Sequence, residues 1–442
     1  MEHFHHRLKG ALLNSINSVL TNPSAYARNP QKDFIRNRKI NGAQLCLFLI
    51  SCGASKTQSE LLDFYGSEDV PSASALVQQR NKFKPEGMEA VFKAFGKELE
   101  ALSPLDSPSK YRFLAVDGSS LTFQSCPRYA SDDYLISDRS ESGHYSMHLN
   151  ALYDLDRNEY KDCIIQSAHG KDEHAAFCEM VARFPDSSGS RAVFIADRGY
   201  CSLNNMAHVK EKGLYFVFRA KDIGSKGLTK SLNLPDEDNF DVQVNAAVVR
   251  SQSRKVSVEC DHQCYVGQNT AFDFLEYGSL DSYELSFRVV RFPLREDSNE
   301  CIITNLPEDD FPFECFKELY FKRWAIEVSF RDLKYTNGLT VLHSYKPDHI
   351  KQEIWGTLIL YNFVSALINH AGTPKSGSKH KHKSNFGVAA HEARKFIQSA
   401  QGALNNSLMN IIARFTVPCR PGRNAPRNFH PRKPPDCVYR PA

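Results

Sequence analysis

The sequence predicts a mixed α/β protein, and three observations support this prediction. Apolar runs with strand periodicity recur between residues 111 and 218, and helical spacing interrupts them at residues 173–184. Helical spacing also dominates residues 40–100, ahead of the strands. From Pro418 onward the chain is rich in Pro, Gly and basic residues, which is typical of an extended or disordered tail. Together these features indicate a sheet-based core preceded by a helical domain.

The order of elements in the core narrows the fold class. Five strands are predicted, at residues 111–118, 144–155, 160–167, 191–196 and 214–218. One helix, at residues 173–184, separates the third strand from the fourth, and a shorter helix separates the fourth from the fifth. Three strands, a helix, a strand, a helix and a strand describe an α/β sheet of the ribonuclease-H-like kind.

A different pattern follows the fifth strand. Short strands between polar turns are predicted at Phe240–Val244, Lys255–Glu259, Phe287–Phe292 and Cys301–Thr304. We interpret this segment as a β-rich insertion, because helical spacing resumes at residues 313–334 and again at residues 350–369. The predicted units are therefore a helical N-terminal domain (1–105), the first part of the core domain (106–222), the insertion (223–310), the second part of the core domain (311–372) and a basic C-terminal region (373–442).

The composition argues against wholesale disorder, secretion and a membrane span. Of 442 residues, 41% are hydrophobic and 24% are charged, as in soluble globular proteins. The twelve cysteines are scattered, which indicates a reduced cytosolic protein, and the cluster at residues 260–264 is interpreted as a turn between strands rather than a zinc site. No N-terminal segment has the features of a secretory signal. Polar residues interrupt the longest apolar stretch, residues 354–368, which predicts a buried helix.

Basic residues are concentrated at the two ends of the chain, although the net charge is only +4. Residues 1–40 contain seven Lys or Arg against two acidic residues, and residues 373–442 contain thirteen against two. Such ends favour a polyanion such as DNA, but solvated tails that aid solubility explain them equally well. Residues 56–62 and 71–80 are compatible with a helix-turn-helix that directs Arg80 toward a DNA groove, and a simple helical domain is the alternative.

Two aspartates follow predicted strands. Asp117 and Asp197 each end an apolar run and are followed by glycine, at once or one residue later. Ligand sites of open α/β sheets lie at the C-terminal edge of the strands, so both carboxylates are expected there. A single aspartate in this position is more often a turn residue or helix cap, but two on adjacent strands favour a functional site.

The helix predicted at residues 313–334 carries a polar stripe. Tyr320, Arg323, Glu327 and Lys334 fall within an arc of roughly 60° on one face, at 100° per residue. Apolar residues border this stripe on both sides, unlike an ordinary solvated face. An intrahelical ion pair between Arg323 and Glu327 is the structural alternative, but it accounts for two of the four residues.

Phosphodiester chemistry would require this combination of residues. Two divalent cations about 3.5–4 Å apart activate the attacking oxygen and stabilise the leaving oxygen, and they prefer oxygen ligands. Asp117, Asp197 and Glu327 would supply those ligands. Arg323 and Lys334 would bind phosphates, and Tyr320 would donate a hydrogen bond to a phosphate oxygen.

The spacing Y-x2-R-x3-E-x6-K, from Tyr320 to Lys334, resembles the signature of bacterial insertion-sequence transposases of the IS-four group. The resemblance extends to Asp117 in Val-Asp-Gly-Ser-Ser, to Asp197 in Ala-Asp-Arg-Gly-Tyr and to the β-rich insertion. It implies a ribonuclease-H-like catalytic domain with two Mg²⁺ ions, for which Mn²⁺ can substitute. It also implies cut-and-paste DNA transposition by a bacterial, cytoplasmic and nucleoid-associated protein.

The same resemblance implies the partners and the remaining roles. The N-terminal domain would bind DNA, and Tyr320, Arg323 and Lys334 would contact terminal phosphates. The expected partners are the terminal inverted repeats, target DNA and a second copy in a synaptic homodimer. Some relatives trap a flipped base with a tryptophan of the insertion, whereas this chain has only Trp324 and Trp355, both outside it. A metal-dependent nuclease without strand transfer, and a catalytically silent DNA-binding descendant of a transposase, are the alternatives.

Overall fold

The structure is a computed structural model that describes residues 4–419 except for 37, 67–68, 103–109, 125, 127, 137–143, 186–190, 254–259, 261, 296–297, 373–380 and 400–406. Its α-helices are α1 (Phe4–Leu20), α2 (Pro23–Tyr26), α3 (Gly42–Ser51), α4 (Thr57–Tyr65), α5 (Ala73–Lys82), α6 (Pro85–Leu102), α7 (Glu173–Arg183), α8 (Leu203–Glu211), α9 (Phe316–Phe321), α10 (Trp324–Arg331), α11 (Pro347–Ala371), α12 (Phe386–Gln398) and α13 (Leu408–Arg414). Its strands are β1 (Tyr111–Phe123), β2 (Leu135–Ile136), β3 (His144–Asp154), β4 (Glu159–Ser167), β5 (Arg191–Ala196), β6 (Tyr215–Ala220), β7 (Phe240–Val249), β8 (His262–Tyr265), β9 (Ser282–Arg295), β10 (Ser298–Thr304), β11 (His382–Ser384) and β12 (Thr416–Pro418).

One large mixed sheet organises the chain, which confirms the predicted α/β class. Its strand order is β2-β3-β1-β5-β6-β10-β9-β7-β8, with β4 also paired to β3. The pairs β1–β3 and β3–β4 are antiparallel, whereas β5 runs parallel to both β1 and β6. The predicted strands, with α7 and α8 between them, therefore occur in the expected order. Parallel strands are joined by crossover helices, which explains why α7 and α8 lie where they do.

The segment predicted as an insertion extends this same sheet. Strand β10 pairs antiparallel with β6, and β9 and β7 continue outward from it. The residues expected to form a strand at 255–259 lie outside those that the structure describes. The turn predicted at 260–264 is wrong in its second half, because His262–Tyr265 forms β8 and pairs with β7. Backbone hydrogen bonding to β7 thus overrides the polar character of this segment.

The helical part of the chain is built around α11, which contains the apolar stretch predicted as a buried helix. Most of its residues are buried. Its neighbours include α3, α6 and α12. At Gly356 a β-carbon would lie 2.4 Å from the carbonyl oxygen of Leu49 on α3, so the two helices meet backbone to backbone at this point. No helix among the described residues has the length and apolar character needed to span a membrane, and the described cysteines are all free thiols.

Arg80 lies inside the helical region and does not face solvent. The segments predicted as a helix-turn-helix do form α4 and α5, but Arg80 is 2% exposed. Its Nη2 lies 2.7 Å from Oε1 of Glu353 and donates to the carbonyl oxygen of His349 at 2.7 Å, and its Nε donates to Gln352. Arg80 therefore points into the helical core and not toward the surface that the predicted helix-turn-helix would present to DNA. Helical periodicity identifies a polar face, but it does not reveal that an acidic residue of α11 covers that face.

Candidate active site

Asp117 and Asp197 lie on neighbouring parallel strands. The last paired residues of β1 and β5 are Val116 and Ala196, so each aspartate is the next residue along its strand. Asp197 follows β5, and its Oδ1 accepts a hydrogen bond of 2.8 Å from the amide of Gly199. Oδ1 of Asp117 accepts one of 2.8 Å from the amide of Gly118. These backbone contacts fix both carboxylates at the same edge.

The expectation that Asp117 ends its strand is wrong. Strand β1 continues to Phe123, because residues beyond Asp117 remain paired with β3 after the pairing with β5 has ended. Asp117 thus lies at the point where β1 is no longer paired with β5 but is still paired with β3. Helix α10 packs against β1, and Arg323 at the start of α10 contacts Asp117.

The predicted glutamate helix is interrupted. A 3₁₀ turn at Phe313–Cys315 leads into α9, a break at residues 322–323 separates α9 from α10, and a π-helical turn at Asp332–Thr336 follows. Such turns frequently occur at functional sites. The break places Arg323 at the N-terminal end of α10, four residues before Glu327.

Arg323 links the helix to the strand. Its Nη2 lies 2.7 Å from Oε1 of Glu327, and its Nη1 lies 3.4 Å from Oδ2 of Asp117. The intrahelical ion pair considered as an alternative is therefore present, but it is part of a larger charge cluster. Arg323 is 6% exposed, and a guanidinium this well buried requires anionic partners.

The electrostatics of Asp117 reflect this crowding. Burial raises its pKa to about 6, the charge of Arg323 and the hydrogen bond from Gly118 oppose the rise, and the charges of Asp197 and Glu327 add to it. Three carboxylates near one point repel one another, so a cation is stabilising there. Carboxylate oxygens are the ligands that Mg²⁺ prefers, which makes this donor set suitable for it.

The three carboxylates are not as tightly grouped as the most compact clusters of ligand-type side chains. Within the described residues, two groups have ligand atoms within 4.8 Å of one another, Cys52–Glu60–His343 and Cys178–His208–Asp273. In the first group both ring nitrogens of His343 already contact protein oxygens, from Glu353 and Ser55. Arg323 contacts Asp117 and Glu327 and offsets part of the negative charge at this sheet edge.

The other residues of the predicted stripe lie beside this cluster. The Tyr320 ring packs against Arg323, whose Cζ is 5.6 Å from the ring centroid, and the tyrosine hydroxyl is buried without a hydrogen-bond partner among the described residues. Burial raises the pKa of Tyr320 to about 12, so the phenol remains a hydrogen-bond donor at neutral pH. Lys334 extends from the π-helical turn, and its Nζ donates to the carbonyl oxygen of Ser120 on β1 at 2.6 Å.

Comparison with known families decides the identity of this domain. Residues 108–363, more than half of the chain, match the family model described as "Transposase DDE domain". The chain belongs to the DDE transposase family. This confirms the resemblance on which the residue assignments were based, and the matched segment contains Asp117, Asp197 and Glu327.

Individual relatives of this DDE transposase domain include insertion-sequence proteins. The transposase of IS231F from Bacillus thuringiensis subsp. israelensis is 24% identical over 199 residues, covering 39% of this chain and 41% of that protein. Transposase InsG of IS4 from Escherichia coli K12 is 41% identical over 56 residues, or 12% of this chain and 13% of that protein. The match to IS231F therefore spans about two fifths of the relative. A piggyBac transposase synaptic complex with hairpin DNA has a TM-score of 0.48 at 9% identity, covering 95% of this chain and 85% of that one.

Sequence reasoning missed three residues that border the DDE cluster: Glu173, His148 and Tyr200. Glu173 begins α7, directly after the Asp172 cap, and its Oε1 lies 2.9 Å from Nε2 of His148 on β3. The buried hydroxyl of Tyr200 has no hydrogen-bond partner among the described residues. The sequence shows that Glu173 begins the helix after the third strand. It does not show that Glu173 lies near Asp117, because the two residues are far apart along the chain.

Proposed function

We propose that this chain is a DNA transposase that cuts DNA at the ends of a mobile element and joins the resulting 3′-hydroxyl to target DNA. The observation that best supports this proposal is the charge cluster in which Arg323 contacts Asp117 and Glu327 and in which the charge of Asp197 also acts on Asp117, within the segment that matches the DDE transposase family. The catalytic domain would be ribonuclease-H-like and built from residues 106–222 and 311–372, with the intervening strands as an insertion into it.

In this proposal the three carboxylates hold two divalent cations, Mg²⁺ with Mn²⁺ as a substitute. The bound cations supply Lewis-acid stabilisation of the attacking and leaving oxygens during in-line displacement. The protein contributes orientation, because the amides of Gly118 and Gly199 already fix one oxygen of each aspartate. Carboxylates fixed in advance lose little conformational entropy when they bind an ion.

The basic and phenolic groups of the helix would bind the DNA backbone. Arg323 lies between two carboxylates and is positioned to accept a phosphate as a further anionic partner. The unpartnered, protonated hydroxyl of Tyr320 offers a hydrogen bond to a phosphate oxygen. Lys334 would add a cation at the side of β1. These contacts position the scissile phosphate without reading its sequence.

A second basic surface replaces Arg80 as the proposed DNA contact of the N-terminal domain. A surface cavity of about 470 Å³ is lined by four cations, Lys32, Arg36, Arg38 and Lys82. All except Lys82 are exposed, and Lys82 is partly so. Cations around one concavity favour a polyanion, and their attraction to DNA is expected to weaken with salt. The proposed partners are the terminal inverted repeats, target DNA and a second copy of this chain in a synaptic homodimer.

The experiment that tests the proposal uses full-length protein, Mg²⁺ and linear DNA carrying the ends of the encoding element, together with supercoiled target DNA. We expect cleavage that exposes a 3′-hydroxyl at the element end, followed by joined product. Asp117→Asn, Asp197→Asn and Glu327→Gln should each abolish both reactions and retain end binding in a mobility-shift assay. Cleavage without joined product would indicate the nuclease alternative, and Mg²⁺-dependent cutting by any of the three variants would refute the assignment.

A matched control separates loss of chemistry from loss of charge. Asp310 is an acidic residue beside the start of β1, where its Oδ2 lies 2.5 Å from Nζ of Lys110 and accepts a hydrogen bond of 2.6 Å from the hydroxyl of Tyr111. Asp310→Asn removes one negative charge, as Asp117→Asn does, but it should leave cleavage and strand transfer unchanged. Equal loss of activity in both variants would mean that the effect is general and not specific to the carboxylate cluster.

A further inference from the structure

The Glu173 carboxylate occupies a gap that two glycines leave open. A β-carbon at Gly118, the residue after Asp117, would lie 2.8 Å from Oε1 of Glu173. A β-carbon at Gly199 would lie 4.0 Å from Oε2 of Glu173 and 3.1 Å from Oδ1 of Asp197. The first distance is shorter than real β-carbon contacts, so a side chain at residue 118 would force the carboxylate out. The absence of a side chain at Gly118 thus makes room for Glu173 beside Asp117, and Gly199 lies next to both Oε2 of Glu173 and Oδ1 of Asp197.

Other side chains hold Glu173 in this gap. Nε2 of the buried His148 and Nζ of Lys171 lie 2.9 Å and 3.1 Å from Oε1. His148 is itself fixed from β1, because its Nδ1 lies 3.2 Å from Oγ of Ser120. His148 and Lys171 both approach Oε1 of Glu173. The other oxygen, Oε2, is the one nearest to Gly199 and therefore lies on the Asp197 side of the gap.

A buried polar group independently points to a ligand at this place. Tyr200 is 1% exposed, and its hydroxyl has no hydrogen-bond partner among the residues described. Tyr200 directly follows Gly199 in the chain; burial raises its pKa, and the charges of Glu173, Asp117 and Asp197 raise it further. A buried hydroxyl without a partner costs free energy, and a water molecule or ion-bound water in the gap would satisfy it.

We infer that Glu173 is a fourth carboxylate of the divalent-cation site, an inference that rests on the proposed function. Its Oε2 would face the ion, and His148 would orient the Glu173 side chain. Residues outside the ligand set that hold a metal-facing side chain in place matter for binding, and their loss typically weakens metal affinity by about 10–100-fold. Glu173 is 31% exposed at its side chain, so an ion or its water can reach it from solvent.

The test measures metal binding directly, without relying on activity. Full-length protein is titrated with Mn²⁺ alone, and the unbound ion is followed by electron paramagnetic resonance. Glu173→Gln should weaken Mn²⁺ binding at least about tenfold, and His148→Ala should weaken it less. The matched control is Glu179→Gln, which removes the same charge from an exposed position on the same helix α7 and should leave binding unchanged.

Asp117→Asn distinguishes failure of this inference from failure of the proposed function. Weaker Mn²⁺ binding in Asp117→Asn together with unchanged binding in Glu173→Gln would overturn the role of Glu173 alone. A wild-type affinity that neither variant alters would overturn the cation site as a whole. The circular dichroism spectrum of each variant should match that of the wild type. If the spectrum of Glu173→Gln is changed, Glu173→Asp provides a second test. Mn²⁺ affinity restored in Glu173→Asp would still support the inference, because aspartate returns the carboxylate.

Discussion

Replacing Arg80 tests the contact that joins α5 to α11. The charge of Arg80 and the hydrogen bond from His343 outweigh burial and lower the pKa of Glu353 from 4.5 to about 2. In Arg80→Met the hydrophobic stem is kept, but Glu353 is left buried without its strongest cationic partner. Breaking a buried ion pair on one side costs about 3–5 kcal/mol. The pKa difference of Glu353 between folded and unfolded chain corresponds to roughly 3 kcal/mol, in agreement with that range.

The effect has a defined pH dependence. Because the folded-state pKa of Glu353 is depressed, its contribution to the free energy of unfolding is fully present above 4.5 and is lost as pH falls toward 2. The stability difference between wild type and Arg80→Met should therefore be largest near neutral pH and should shrink as the pH falls toward 2, the folded-state pKa of Glu353 in the wild type. In the variant, Glu353 is expected to take up a proton at higher pH than in the wild type.

Urea unfolding followed by tryptophan fluorescence is a suitable assay. Trp355 is 4% exposed, lies two residues after Glu353 and packs against Phe92 of α6, so its emission reports on this region. Arg36→Met, which removes an exposed cation from the basic concavity, is the matched control and should leave the midpoint unchanged. A stability loss below about 1 kcal/mol in Arg80→Met, or weaker DNA binding by the folded variant at an unchanged midpoint, would refute the structural role of Arg80.

Two further predictions follow from the helix of the active site and from the packing of α11. Lys334→Ala should weaken binding to element ends and reduce the slope of log K against log salt concentration by roughly one. Fluorescence anisotropy at several salt concentrations measures this slope, and an unchanged slope would exclude a phosphate contact of Lys334. Gly356→Ala should destabilise the protein by about 1–3 kcal/mol in urea unfolding, because the new β-carbon meets the Leu49 carbonyl oxygen at 2.4 Å, whereas Gly96→Ala, with no atom within 4 Å, should not.

The sequence predicted the strands of the core well because their burial is continuous. Residues 191–196 and 215–220 are almost entirely buried, and an unbroken apolar run is typical of a central parallel strand. The helix at α11 was predictable for the same reason. Strand β1 was predicted too short, since residues 118–120 are Gly-Ser-Ser, are not buried, and continue the strand only because they pair with β3.

The residues of the candidate site also differ in how far the sequence predicts them. The spacing of Tyr320, Arg323 and Glu327 follows from local helical geometry, which sequence encodes directly. Glu173 reaches the site through the crossover from β4 to α7, and the contact exists because Gly118 leaves room for it. Arg80 is an example of the opposite error. From the sequence alone, a cation on a helix is expected to face solvent, and the ion pair of Arg80 with Glu353 on α11 cannot be predicted. Local periodicity thus predicts which residues share a face, but not what covers that face.

The position of Arg323 explains how the folded chain tolerates its acidic cluster. Three carboxylates at a sheet edge repel one another, and Arg323 offsets part of that repulsion through contacts with both Asp117 and Glu327. Bound divalent cations would supply the same positive charge to those carboxylates, so the ion pairs of Arg323 would then be needed less. A guanidinium released from a carboxylate and still buried needs another anion, and a DNA phosphate at this edge, as proposed above, would provide one. Cation binding and phosphate binding are therefore expected to favour each other, because both act through the charge of the same arginine.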